Sequence, residues 1–193
     1  MSPERPEMDG RRRRGQDSRD RIVAAMLDLM REGEAGPGAE RVAARAEVGL
    51  RTVFRHFRDM DSLYSEMSRA IEGELADLLA RPLAGKDEAT RLAEIVARRA
   101  EVFERIFPFK HASGFHRHRS AFLARGHARM VASLRQALAR DLPAASSDSL
   151  RLEALDLLLG FESWSRLRLE QGLERQAAEA VILGAAGAVL KVV

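Results

Sequence analysis

Residues 41 to 57, RVAARAEVGLRTVFRHF, constrain the fold more than any other stretch of this chain, because apolar side chains recur there at helical spacing on two short segments separated by a turn. Val42, Ala43 and Ala46 form a small-residue stripe on the first segment, and Val53, Phe54 and Phe57 continue an apolar face on the second. Small residues are needed where two short helices cross closely near a right angle. Arg41, Arg45, Arg51, Arg55 and Arg58 stand against a single acid, Glu47, between residues 41 and 58. Such a face suits a groove lined by phosphates.

The rest of the chain has the same period. Glycines and prolines fall mostly between apolar-periodic segments and strand-like alternation is absent, which predicts an all-α fold. Residues 1–16 hold two prolines, two glycines and the run Arg11 to Arg14, and predict a flexible basic arm that cannot bury enough surface to order itself. A first helix is predicted from Asp17 to Arg31. After the two short helices, Asp59 is placed to cap a helix running to about Ala80. Further helices are expected from about Asp87 to Phe107, with Pro108 as the break after it, and from about Phe115 to Asp141. The last two run from caps at Ser146 to Ser149 as far as about Gln171, with Gly172 as the stop, and from about Glu174 to Lys191. The domains expected are the arm at 1–16, a unit at 17–60 holding the two short helices and a larger helical unit at 61–193.

Charge is unevenly distributed. The net +3 arises entirely within residues 1–58, where 13 arginines face 10 acids; cations and acids balance at 19 each over residues 59–193. There are no cysteines, so thiol catalysis, disulfides and thiolate metal sites are excluded, and a reducing cytoplasm is compatible. The longest apolar run, Ala180 to Leu190, is too short to span a bilayer, and residues 1–16 lack the apolar region of a signal peptide. No nucleophile elbow, phosphate loop, HExxH or dinucleotide fingerprint occurs, so neither an enzyme nor a cofactor is expected.

The text from Val42 to Leu63, VAARAEVGLRTVFRHFRDMDSL, resembles the helix-turn-helix of the tetracycline-repressor (TetR) family of bacterial regulators. The resemblance covers about the first third of the chain. It implies an N-terminal three-helix DNA-binding domain, a divergent helical ligand-binding and dimerisation domain, and a homodimer that represses transcription at a palindrome-like operator until a small-molecule effector binds. It further implies that the helix beginning near Leu50 enters the major groove, with Arg51 and Arg55 on guanine edges. Thr52 would meet a phosphate or a thymine methyl, His56 would donate to a phosphate, and Arg41 and Arg45 would grip the opposite backbone. Four positions depart from the family pattern. Glu47 stands where the turn usually has glycine, at a position favouring positive φ, with Gly49 two residues later placed to relax it. Gly49 replaces the usual capping serine, and Met60 replaces a lysine, leaving Arg58 as the nearest substitute cation. Phe54 occupies the usual tyrosine position without the hydroxyl. Glu47, Gly49 and Met60 keep open a different function, a helical binding module that has lost DNA recognition.

The two closing helices carry more apolar surface than one monomer core needs. Leu155, Leu158, Phe161 and Trp164 on the first, with Val181, Ala185 and Ala188 on the second, predict a four-helix dimer interface. His111, His116, His118 and His127 cluster within an acid-free stretch from Arg105 to Arg140. His116 and His118 point to different sides of a helix and lack a nearby carboxylate, which disfavours a metal. Solvated faces paired with acids are one outcome. Another is an effector pocket walled by Phe103, Phe109, Phe115, Phe122 and Trp164, with His116 or Arg119 at its polar end.

Overall fold

The computed structural model describes residues 6–34, 36–114 and 120–191, and among them every regular element is helical. They form α1 (Pro6–Arg31), α2 (Ala39–Arg45), α3 (Leu50–His56), α4 (Met60–Ala80), α5 (Glu88–Gly114), α6 (Ala121–Asp141), α7 (Pro143–Ser146), α8 (Ser149–Leu158), α9 (Phe161–Ser165), a π-helical turn (Arg166–Glu170) and α10 (Arg175–Lys191). The all-α expectation is met. The chain forms two compact units, residues 1–73 with 108–124 and residues 74–107 with 125–193, so the boundary expected at residue 60 lies inside the first unit.

The first unit is organised by α1. Ile22, Met26, Leu29 and Met30 are fully buried on one face of it and pack with Val42, Ala43, Val53, Phe57 and Leu63. Each such side chain contributes about 1.5 to 3 kcal/mol by leaving water. The helix starts at Pro6, eleven residues before the expected Asp17, so residues 6–16 of the expected arm are helical. Composition weighed only burial there. Proline fits the first helical position, and arginine, glutamate and methionine are good helix formers, so local propensity extends the element.

α2 ends in a tight left-handed cap. The Glu47 N–H donates to the Ala44 carbonyl at 3.2 Å and the Val48 N–H to that of Ala43 at 3.0 Å, which places Glu47 at the left-handed position with φ 53. Glu47 therefore carries the positive φ expected of it. Gly49 does not relax it; at φ −70 and ψ 146 it is the extended N-cap of α3 and offers no side-chain bond. Asp59 caps α4 as expected: its Oδ1 accepts the Ser62 N–H at 2.8 Å, and Ser62 Oγ accepts the Asp59 N–H at 3.3 Å. Those bonds, with Arg58 beside it, hold the Asp59 carboxyl below its ordinary range.

α5 continues through Pro108 to Gly114, against the expected break. An internal proline costs about 3 kcal/mol. Phe109, immediately after it, is buried in the first unit's core with the Arg31 guanidinium 5.5 Å from its ring centre, and this packing offsets the lost hydrogen bond.

In the second unit, Leu92, Val96 and Phe103 of α5 are buried, as are Leu138, Leu152, Leu155, Trp164 and Ile182. Phe103 meets Phe161 edge-on at 5.5 Å and lies 6.5 Å from Trp164. The helix expected from Ser149 to Gln171 is interrupted. α8, capped by Asp148 on the Leu150 N–H at 2.9 Å, ends at Leu158, and α9 restarts after Gly160. The chain then widens into the π-helical turn, where Gln171 N–H donates to Arg166 O at 3.1 Å, and stops at Gly172 with φ 64. The interruption is filled by Arg99, only 6% exposed, whose Nη1 donates to the Leu159 carbonyl at 2.8 Å and Nη2 to that of Leu134 at 2.7 Å. A cation at the C-terminal end of α8 satisfies the Leu159 carbonyl that this helix leaves open, and its second bond ties it to α6.

Candidate nucleic-acid interface

α3 is held by its inward side and presents the other. Val53 is 1% exposed and Phe57, at the C-cap, is buried, as the periodicity predicts. Phe54, read from spacing as part of that face, is instead 51% exposed, and Leu50 joins it at the surface. A seven-residue helix has room for one buried stripe, and Val53 with Phe57 fills it. Arg51 and Arg55 are exposed, and neither makes a hydrogen bond or ion pair among the described residues. Thr52 is half-buried. The outer face of α3 thus carries two free guanidinium groups next to two apolar side chains, donors for base edges beside contacts for a thymine methyl.

The flanking cations differ. Arg41 donates from Nε to both Glu34 oxygens at 3.2 Å and from Nη2 to Oε2 at 2.9 Å. Arg45 donates from Nη1 and Nη2 to the two oxygens of Glu32, at 2.7 and 2.6 Å. Arg58 Nε pairs with Asp59 Oδ2 at 3.0 Å. The three arginines expected to hold DNA backbone are therefore engaged with acids in the free protein. His56 departs further from expectation. Its Nε2 is buried without a hydrogen-bond partner, and burial, with Arg55 and Arg19 nearby, holds the ring below its ordinary pKa, so that nitrogen is not turned to a phosphate. Arg19, which spacing did not single out, donates to the His56 carbonyl at 3.2 Å and pairs with Glu66 at 2.9 Å.

The residues expected to line an effector pocket separate. Phe109 and Phe122 pack with the first unit's core, whereas Phe103 and Trp164 are buried in the second. Phe115, His116, Arg119 and the neighbouring His118 lie outside the described residues. Beside Phe103, Trp164 and Arg99 is a void with room for about one water. Glu104 reaches this region from α5: it accepts from Trp164 Nε1 at 2.9 Å and Arg168 Nε at 2.8 Å. Burial pushes the Glu104 carboxyl up, but these two donors bring it below its ordinary range. The expected dimer residues separate too. Leu155, Phe161 and Trp164 are spent on the second unit's own core, and Leu158 and Ala185 are half-buried. Val181 and Ala188 face outward on α10, and Leu150 at 80% and Leu157 at 71% exposure face outward on α8. Those two leucines, seven residues apart, share one stripe; the spacing was visible, but its facing was not.

No protein-family profile matches this chain, and no curated protein does. Solved structures do. A transcriptional regulator from Rhodococcus sp. Rha1 superposes with a TM-score of 0.72 at 18% identity, covering 90% of this chain and 96% of its own. A protein assigned to the TetR family of transcriptional regulators, from Rhodococcus sp., gives 0.67 at 20% identity over 90% of this chain and 99% of its own. The multidrug binding protein EbrR, solved with imidazole, gives 0.58 at 20% identity over 86% and 88%. At such identities the likeness is one of architecture, and it spans nearly the whole of each chain. This chain has the fold of the TetR-family transcriptional regulators.

Proposed function

We propose that this chain is a DNA-binding transcriptional regulator that reads duplex DNA through α3 as a homodimer and represses until a small-molecule effector binds. The observation that carries the reading is the outward face of α3, where Arg51 and Arg55 stand free and exposed beside Leu50 and Phe54. Free guanidinium groups on a groove-sized helix suit guanine O6 and N7, and each bidentate contact discriminates by about 1 to 3 kcal/mol. Dimerisation is supported by the exposed apolar stripes of α8 and α10, which pack on each other and leave Leu150, Leu157 and Val181 in water. The effector is assigned to the second unit beside Phe103 and Trp164, whose walls must part to admit more than a water. A site in the reducing cytoplasm agrees with the cysteine-free composition.

Selection of genomic fragments retained by the purified protein, followed by mobility shifts with Arg51→Ala, tests this directly. Loss of preference at one base pair is the expected result. Equal weakening on selected and random DNA would refute base reading by Arg51. A second reading, a helical ligand-binding module without DNA recognition, draws on the pairing of Arg41, Arg45 and Arg58 with acids. A wild-type protein that shifts no duplex at low salt would select it.

A further inference from the structure

The turn after α1 offers two carboxylates to two arginines of α2, and backbone geometry fixes the offer. Gly33 sits at φ 91, its N–H donating to the Met30 carbonyl at 3.0 Å while the Glu34 N–H donates to that of Leu29 at 3.0 Å. This left-handed cap closes α1 and leaves Glu32 and Glu34 on either side of the glycine. Each glutamate then engages one arginine with both oxygens: Glu34 with Arg41, and Glu32 with Arg45. A carboxylate held by a guanidinium fork presents oxygens much as a phosphate does.

We propose that Glu32 and Glu34 are built-in competitors for DNA phosphate, occupying Arg41 and Arg45 in the free protein and so setting the affinity for duplex DNA and its salt dependence. The inference rests on the reading that this unit binds DNA. Both pairs are solvent-exposed, so they are weak enough to open when a phosphate arrives. An arginine that must leave a carboxylate gains less from a phosphate than a free one, and the displaced acid stays near the DNA as a repelling charge. The net charge brought by each pair is close to zero, so neither pair adds much to the release of condensed counterions that steepens salt dependence. Arg51 and Arg55, which have no such partners, carry the full electrostatic term. The arrangement trims sequence-independent attraction and leaves base reading untouched.

The test uses the full chain and a mixed-sequence duplex, followed by fluorescence anisotropy between about 50 and 200 mM salt. Glu32→Gln/Glu34→Gln should bind roughly tenfold more tightly and steepen the log–log salt slope by up to about two. Glu40→Gln removes an exposed acid of α2 that pairs with neither arginine, and it should fall well short of Glu32→Gln alone. In an Arg41→Ala/Arg45→Ala background the gain should shrink to that of Glu40→Gln, and circular dichroism with thermal melting verifies that each variant is folded. A double glutamine variant within about twofold of wild type, or single variants no different from Glu40→Gln, overturns the inference. If Arg51→Ala/Arg55→Ala still weakens binding in that case, DNA reading stands without it. Absence of binding by wild type and every variant at low salt removes both.

Discussion

The guanidinium of Arg19 in α1 lies 4.8 Å from the centre of the Phe57 ring, the residue at which α3 ends. The same side chain donates to the His56 carbonyl at 3.2 Å and pairs with Glu66 of α4 at 2.9 Å. One arginine thus ties three helices of the first unit at the end of the helix that carries the free cations. The orientation of α3 depends on a residue 38 positions away from Phe57. Arg19→Met, which keeps the aliphatic stem, should cost about 1 to 2 kcal/mol of stability. It should lower affinity for selected DNA more than for random DNA, because the pose of α3 sets where Arg51 and Arg55 meet the bases. Unchanged melting would show that the buried Val53 and Phe57 hold the helix without Arg19.

Glu47 carries a left-handed backbone that glycine adopts without strain. Glu47→Gly should stabilise the chain by about 1 kcal/mol, raising Tm by roughly 2 to 4 °C, while Glu47→Ala should not. Calorimetry decides, and equal gains from both would trace the effect to charge.

Burial lowers the pKa of Arg99 to about 10, although Asp156 and Asp141 act against the shift. Arg99→Met should therefore remain folded but lose about 2 to 4 kcal/mol, since the Leu159 and Leu134 carbonyls lose a charged donor in the interior. Arg135→Ala, which breaks an exposed pair with Glu153, should stay within about 1 kcal/mol. Urea unfolding of the two variants gives the comparison.

His56 is held below its ordinary value of 6.5 by burial first, and then by Arg55 and Arg19. Below about 6.5 the unfolded chain binds a proton that the folded ring resists, so this group's contribution is complete above that pH and falls as pH drops toward the folded value. His56→Gln cannot titrate and should flatten that part of the stability profile. A wild-type profile rising as pH falls from 7 to 5 would contradict the assignment.

Leu157→Glu and Val181→Glu place charge on surface that one chain leaves in water, and each should yield a folded monomer if those stripes pair between copies. Leu155→Glu buries a charge in the core and should unfold the second unit. Sedimentation with circular dichroism separates the cases. Identical sedimentation of wild type and both surface variants would show that these stripes do not pair between copies.

The amino-acid sequence alone determined what depends on neighbours a few residues apart. Helical period located α2 and α3, capping chemistry placed the Asp59 cap of α4 and the stop at Gly172, and the resemblance to a motif that usually has glycine where Glu47 stands gave the expectation of positive φ. Tertiary structure decided what depends on packing across long separations. Pro108 lies inside a helix because Phe109 is held in a core built mainly by residues far earlier in the chain. Leu155 and Leu157 lie on opposite faces of α8 and both are apolar, so periodicity does not tell which face the monomer covers; Leu155 is consumed by the core and Leu157 is left outside. Which arginines are free was likewise beyond local reading: Arg41 and Arg51 are alike in sequence, and only the fold of the α1–α2 turn brings Glu34 to the first and no acid to the second. Periodicity reports that a face is apolar or charged. Only the approach of other elements selects what covers it, because burial and ion pairing are properties of pairs of surfaces and not of one.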